Sequence, residues 1–294
     1  MKYVVDHTTT YNYTDAVAVS YNVIHLSPRD GERQRLENTT LDIRPIPAVA
    51  HHRQDYFGNR VDIVTVQEPH TELVIAATST VEVFAPPDYD PASTLPWETV
   101  REILFRNQNR EILSACEFAY DSPMLPPSPA AAKFAALAFP AGRPLLAGVI
   151  ELNRMIYTGF KYDSTATSIS TPVEEVMAAR AGVCQDFAHI GIACMRSLGL
   201  AARYVSGYLE TIPPPGRPRL VGADASHAWF SVYIPSLGWV DADPTNGILV
   251  RDRHVTAAIG RDFSDVSPIK GMIIGGGPQT VKVAVDVLRS ELSA

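Results

Sequence analysis

The 294-residue chain is 46% hydrophobic and 19% charged, which argues against a disordered protein and allows one large core or two ordinary ones. Its net charge of −7, with no basic run to release counter-ions from phosphates, argues against a nucleic-acid partner. Three scattered cysteines, Cys116, Cys184 and Cys194, make neither a disulfide framework nor a zinc ribbon; there is no signal-peptide core and no stretch of roughly 18 apolar residues, so a soluble cytoplasmic protein without membrane association is expected.

Tyr3, Val5, His7, Thr9, Tyr11 and Tyr13 alternate with polar residues and predict a strand exposed on one face. Further strands are expected over 20–27, 35–44, 59–67 and 73–84, separated by Pro- and Gly-bearing turns, which makes residues 1–87 an antiparallel β domain. His51-His52 and His70 read as surface or turn residues, because neighbours on a strand face opposite ways and share a metal poorly. Residues 55–59 read as a tight hairpin turn.

From 88 to 140 the chain becomes a helical, proline-rich connector. A helix over 98–114 is interrupted by Asn107-Gln108-Asn109, an extended spacer covers 123–129, and an alanine-rich helix follows at 130–138. Residues 141–294 form the last unit. Leu145, Val149, Leu152 and Ile156 carry helical offsets and predict a helix over 145–157. Residues 160–163 and 165–170 read as irregular or extended, leading to a helix with Thr171 as N-cap and Pro172 in its first turn.

The rest of the chain is organised around 179–200. Cys184, Phe187, Ala188, Gly191, Met195 and Leu198 mark one helical face, with Gln185, Asp186, His189 and Arg196 as its polar points and Gly199 as its stop. Cys184 falls in the first turn, just after Gly182, where the positive end of the helix dipole and unpaired N–H groups favour a thiolate. A cysteine on an apolar face is by itself more often an inert hydrophobe.

Two later segments change that balance. A strand over 202–210 is followed by the proline-rich stretch 212–219, a plain connection or a wall of a cleft, and then by alternating residues over 226–234. A turn at 235–238 returns the chain through Trp239 to Asp243, so His227 and Asp243 belong to one hairpin. A plain four-residue loop would put Asp243 on the opposite face from His227. A three-residue loop, or a bulge at Gly238, sets Trp229 opposite Asp243 with His227 diagonal, about 7–8 Å away between Cα atoms. An irregular turn is therefore predicted. Cys, His and Asp in this order suit a thiol nucleophile, its base and the group orienting the base.

The segments 182–188, 201–208, Ser226-His227-Ala228-Trp229 and 238–246 resemble the core motifs of bacterial transglutaminase-like proteins, and residues 1–87 resemble the N-terminal β domain of one branch of that family. The resemblance extends to Gly260-Arg261-Asp262-Phe263, where many relatives have Tyr in place of Phe263. It implies an α+β fold: the N-terminal antiparallel β domain, then a papain-like core with helices before and an antiparallel sheet after the nucleophile helix. It also places the triad on Cys184, His227 and Asp243 and implies a peptide or protein substrate. The backbone N–H of Cys184 is the natural oxyanion donor, with Gln185 a candidate by proximity alone.

The acyl acceptor is open between water and an amine. Animal relatives that cross-link use calcium, and no acidic loop of that kind occurs, so water is preferred and neither cofactor nor metal is expected. The competing readings are a transglutaminase and a non-catalytic protein-binding module on the same fold. A metal site on His189 and Cys194 is disfavoured, because five residues separate them by about 140° around a helix. Arg261 is expected either to brace the site or to face substrate. Gly275-Gly276-Gly277 reads as a turn, and the alternating valines over 281–287 as a strand completing the catalytic sheet.

Overall fold

The computed structural model describes residues 1–106, 109–210 and 226–290. The first unit is a seven-stranded antiparallel sheet built on one very long strand. β1 (Lys2–Ile24) absorbs both the alternating run at 3–13 and the strand expected over 20–27. Register shifts at Asn12/Val17 and Val17/Val19 bend it without ending it. β2 (Gln34–Arg44), β3 (Val49–Gln54), β4 (Arg60–Val66) and β5 (His70–Val83) give the order β2-β5-β1-β4-β3. His51 and His52 are exposed on β3, whereas His70 is buried at the head of β5, with Nδ1 2.7 Å from the Glu68 carbonyl. Asp55 Oδ1 accepts from the N–H groups of Phe57 and Asn59, closing the β3–β4 hairpin as an Asx turn.

Helices follow: α1 (Trp97–Arg106), α2 (Arg110–Cys116), α3 (Pro129–Ala138) and α4 (Leu145–Gly159). Asn109, in the interruption expected at 107–109, caps α2 by accepting from Glu111 N–H, and Ser128 caps α3 through Ala131 N–H. β6 (Lys161–Tyr162) precedes α5 (Val173–Ala179). The cap of α5 differs from expectation: Pro172 occupies the N-cap position and Thr171 Oγ1 accepts from Ser168 N–H. The hydroxyl is consumed by its own loop, and proline's fixed φ starts the helix one residue later than the Thr-Pro signal suggested. Arg180, at φ 54°, ends α5, and β7 (Ala181–Gly182) pairs in parallel with β6 before α6 (Cys184–Ser197) begins. Cys184 thus opens the first turn of α6, as expected, and Gly199 stops the helix in the left-handed region, φ 74°.

The second sheet has the order β11-β10-β9-β8-β12. Its strands are β8 (Ala202–Leu209), β9 (His227–Ile234), β10 (Gly238–Asp243), β11 (Ile248–Leu249) and β12 (His254–Gly260). The proline-rich stretch 212–219 lies outside the described residues. One face of β9, carrying Ala228, Phe230, Val232 and Ile234, joins α6 and α3–α5 in the main core. A Cβ on Gly191 would lie 2.6 Å from the Phe230 ring, so this glycine lets α6 sit close on the sheet. After the short α7 (Phe263–Val266), β13 (Ile269–Gly275) and β14 (Gln279–Arg289) follow one another in the same direction along β1, joined through three glycines of positive φ.

These two strands correct one expectation. β14 does not complete the catalytic sheet; it pairs with β1 from Tyr3↔Arg289 to Tyr13↔Gln279, and β13 pairs with the second half of β1. Alternating valines define a strand and its buried face, with Val285 and Val287 against Tyr3 and Val5, but not which sheet it joins.

The two sheets meet along β12, an edge strand. Tyr3, Val5, Val81 and Val83 form one apolar cluster with Tyr208, Val255 and Ala257. Two carboxamides then stand in for the missing neighbouring strand. Gln34 Nε2 donates to the Thr256 carbonyl (2.7 Å) while its Oε1 accepts from Thr256 N–H (2.8 Å). Asn59 repeats this at Ile259, at 2.7 and 2.9 Å, and is wholly buried. Each pair satisfies an edge peptide that would otherwise be buried unpaired. Replacing Asn59 with Ala should therefore cost about 2–3 kcal/mol in urea unfolding, since a buried N–H and C=O lose their partners together. A cost under about 0.5 kcal/mol, ordinary for a surface change, would refute this role.

Candidate active site

Gly182 and Asp186 shape the start of α6. Asp186 Oδ2 accepts from Val183 N–H (2.9 Å) and from Thr167 Oγ1 (2.6 Å), tying the first turn to the chain before α5. A Cβ on Gly182 would lie 2.6 Å from that oxygen, so the glycine makes room for the carboxylate that holds the turn. Burial pushes the Asp186 carboxyl above its ordinary value, against the lowering effect of these two bonds. Gln185 Nε2 donates to the Ile169 carbonyl (3.0 Å), which occupies its side chain. The N–H groups of Cys184 and Gln185 belong to the first turn and have no intrahelical acceptor.

The hairpin delivers the other two residues. β10 pairs with β9 as Gly238↔Ile234 through Ala242↔Phe230, leaving a three-residue connection of 235–237 with Ser236 and Gly238 at positive φ. This is the register that sets Asp243 diagonal to His227, and His227 Nε2 lies 2.8 Å from Asp243 Oδ2. Cys184, half-buried at the start of α6, lies beside the same ring, close enough to raise it. All three residues singled out in the sequence thus meet.

Asp243 is fully buried and saturated. Oδ1 accepts from the N–H groups of Thr245 (2.9 Å) and Asn246 (3.2 Å), and Oδ2 faces His227, His254 (3.0 Å) and Asn246 Nδ2 (2.7 Å). Burial alone would raise its carboxyl, but the bonds from the two histidines outweigh this and hold it below the ordinary range, hence ionised. An ionised carboxylate only accepts, so both histidines present Nε2–H to it and the His227 Nδ1 is left to face the thiol. Desolvation works to lower His227, yet hydrogen bonds to Asp243 and Cys184 carry it up to about 10. For His254 the burial cost prevails over Asp243, so that ring is lowered and neutral.

His254 is the participant the sequence reading missed. It sits in no motif, and its place beside Asp243 depends on β12 pairing with β8, at His254↔Leu209. Its ring stands 5.1 Å from that of Trp229, which is itself packed over Gly207; a Cβ there would lie 2.6 Å from the indole. Asn246 was within reach of sequence reasoning, because Asp-Pro-Thr-Asn is an Asx-turn signal. Ligand atoms of His227, Asp243 and His254 gather within 4.8 Å, a spacing that could hold a metal, but the hydrogen bonds already account for all three.

The remaining candidates have separate partners. His189 Nε2 accepts from Phe263 N–H (3.2 Å) and is lowered to about 4 by burial, while Cys194 Sγ faces the Ala131 carbonyl (3.4 Å) with its thiol raised by burial. Cys116 is buried. Arg261 forks onto Asp265 (2.9 Å twice), so it braces α7.

Residues 3–82 match the Bacterial transglutaminase-like N-terminal region and residues 137–244 the Transglutaminase-like superfamily. The chain belongs to the transglutaminase-like superfamily. It is 43% identical over 300 residues to an uncharacterized protein of Mycobacterium tuberculosis, covering 99% of this chain and 93% of that one. It shares its fold with the crystal structure of a candidate cysteine protease from Cytophaga hutchinsonii, at a TM-score of 0.74 and 22% identity over 100% of this chain and 92% of the other. A shorter stretch, 67 residues or 22% of this chain, is 36% identical to a protein-glutamine gamma-glutamyltransferase of Pseudomonas aeruginosa, covering 10% of it. The family and the fold are those of papain-like cysteine enzymes. Among the described residues no helix is long and apolar enough to cross a membrane.

Proposed function

We propose that this transglutaminase-like protein is a cysteine-dependent acyl-transfer enzyme that hydrolyses peptide or amide substrates through a thioester on Cys184. The observation that carries this reading is the continuous chain from the Cys184 thiol through His227 to a buried, ionised Asp243. His227 Nδ1 takes the thiol proton, giving a thiolate–imidazolium pair that Asp243 orients and favours. The thiolate attacks the carbonyl carbon, and the oxyanion meets the N–H of Cys184, with that of Gln185 beside it on the same turn. Collapse expels the amine, which takes the proton from His227. Water then attacks the thioester, its proton passing to His227, and the acid leaves as the thiol is restored.

An amine in place of water would make the same site a transglutaminase, a reading favoured by the short likeness to the Pseudomonas glutamyltransferase. The test is the pH dependence of iodoacetamide alkylation, with the modified cysteine located by mass spectrometry. Cys184 should react rapidly down to about pH 6, and at least tenfold more slowly in His227→Ala. Reactivity appearing only above about pH 8, unchanged by that substitution, would remove the proposal's basis. With an active pair established, a glutamine peptide offered with a primary amine separates the acceptors: incorporation over hydrolysis favours the amine.

A further inference from the structure

A cavity of about 630 Å3 opens where three parts of the chain meet, away from Cys184. Tyr56 and Phe57 come from the β3–β4 hairpin tip, Phe118 from the chain just after α2, and Trp239 and Arg203 from the catalytic sheet. The aromatic walls form a chain of edge-on and tilted contacts, Tyr56–Phe57 at 5.2 Å, Phe57–Phe118 at 5.8 Å and Phe118–Trp239 at 5.3 Å. The volume suits a small organic molecule, and the walls suit an apolar body.

Among the charged residues of this lining, Arg203 sits over an aromatic ring. Its guanidinium carbon lies 4.0 Å from the centroid of the Trp239 ring, a cation–π contact. Its Nε is shielded from solvent and makes no hydrogen bond, and no ion pair joins it to any described residue. Other half-buried or buried arginines each donate at least one hydrogen bond, even where a nitrogen is left over: Arg196 makes four, Arg29 two, Arg33 two and Arg253 one. The two carboxylates on the cavity wall are each engaged by a tyrosine, Glu111 by Tyr233 and Glu117 by Tyr56, and neither turns to Arg203. Burial pulls the Arg203 guanidinium down to about 10, partly offset by Asp241, which stands in the same row of the sheet across Ser231 without bonding to it. A cation over an aromatic ring, with no hydrogen-bond acceptor among the described residues and facing a cavity, is suited to an acceptor brought by a ligand.

We propose that this cavity binds a small organic oxyanion, a carboxylate or a phosphate monoester on an aromatic or aliphatic body, with the charged end on the Arg203 fork and the body against Trp239, Phe118 and Phe57. The site is distinct from the thiol centre. Arg203 pairs with Ser231 and Gly207 with His227, so the two ends of the sheet stand four residues, about 13 Å, apart along β8 and β9. Because its walls come from the N-terminal sheet, the connector and the catalytic sheet, an occupant would tie all three together. This proposal does not depend on the reaction proposed for Cys184.

The test is isothermal titration at low ionic strength with benzoate, phenyl phosphate and inorganic phosphate, on the wild type, on Arg203→Gln and on Ser114→Trp. Ser114 is an exposed residue of α2 on the cavity wall, so its replacement fills the space without touching the core. Saturable one-site binding of benzoate or phenyl phosphate, weakened at least tenfold in both variants, is expected. Binding of benzoate alone assigns a carboxylate; binding of phenyl phosphate, with competition by inorganic phosphate, assigns a phosphate monoester. No saturable binding of any of the three, or binding unchanged in a variant whose melting transition matches the wild type, overturns the proposal.

Discussion

Replacing Asp243 with Asn is expected to lower the rate of Cys184 alkylation at pH 6 by at least tenfold, and acyl transfer by about 10^2–10^4. The carboxamide keeps the size of the side chain but removes the charge that two rings share, and an NH2 group turned toward either ring meets a donor. His227 then loses the largest influence raising it, so its value should fall from about 10 toward the ordinary 6.5 and the imidazolium side of the pair should empty near neutral pH. Stability should fall as well, by about 3–5 kcal/mol, as for breaking one side of a buried ion pair.

That loss should depend on pH in a defined direction. His227 is raised in the folded state, so its contribution is whole below about pH 6.5 and is lost as pH climbs through about 10. Asp243 is depressed, so its contribution is whole above about pH 4, its ordinary unfolded value, and is lost as pH falls further. The stability gap between wild type and Asp243→Asn should therefore be widest from about pH 4 to 6.5 and should narrow toward pH 10. Urea unfolding at pH 5, 7 and 9 measures it; a gap that widens with pH would contradict the assigned protonation states.

The second large effect is expected at Arg196, on the same helix but remote from the reaction. Its buried guanidinium donates to the carbonyls of Phe118 (3.0 Å), Ala202 (3.0 Å) and Arg261 (2.7 Å) and to Ser122 Oγ (3.0 Å). The four acceptors come from the connector, the start of β8 and the turn before α7. Three are main-chain groups that no side-chain change elsewhere can relieve. Arg196→Met keeps the apolar stem and leaves these carbonyls buried and unpaired, which should cost about 3–5 kcal/mol. Arg196→Lys should recover only part of this, since one ammonium cannot span the fork. A Met variant within about 1 kcal/mol of wild type in urea would mean that water replaces the guanidinium without loss.

The candidate site was legible in the sequence where its determinants are local. Cys184 was placed by a helical stripe and a glycine, and His227 with Asp243 by one hairpin whose register admits few alternatives. The features that escaped depend on contacts between distant segments. His254 reaches Asp243 only because β12 lies beside β8. β14 was correctly read as a strand but given the wrong sheet, because alternation records a buried face and not a partner. The two expected strands at 3–13 and 20–27 merged because bulges carry the chain through Asp15 and Ala16 without a turn. Arg196 was marked as a polar point on an apolar helix, though its four acceptors come from segments that no periodicity connects.

The pairing of β1 with β14 bears on the order in which the protein can assemble. Tyr3 leaves the ribosome long before Arg289, its partner across the sheet. Until then β1 can pair with β5 and β4, but one flank stays open while the whole catalytic unit is being made. A nascent chain therefore carries a long exposed strand edge through most of its synthesis, and closing it demands a contact of nearly maximal sequence separation. The first sheet therefore cannot be completed before β13 and β14 are made, and β1 is the span left open to mispairing until then.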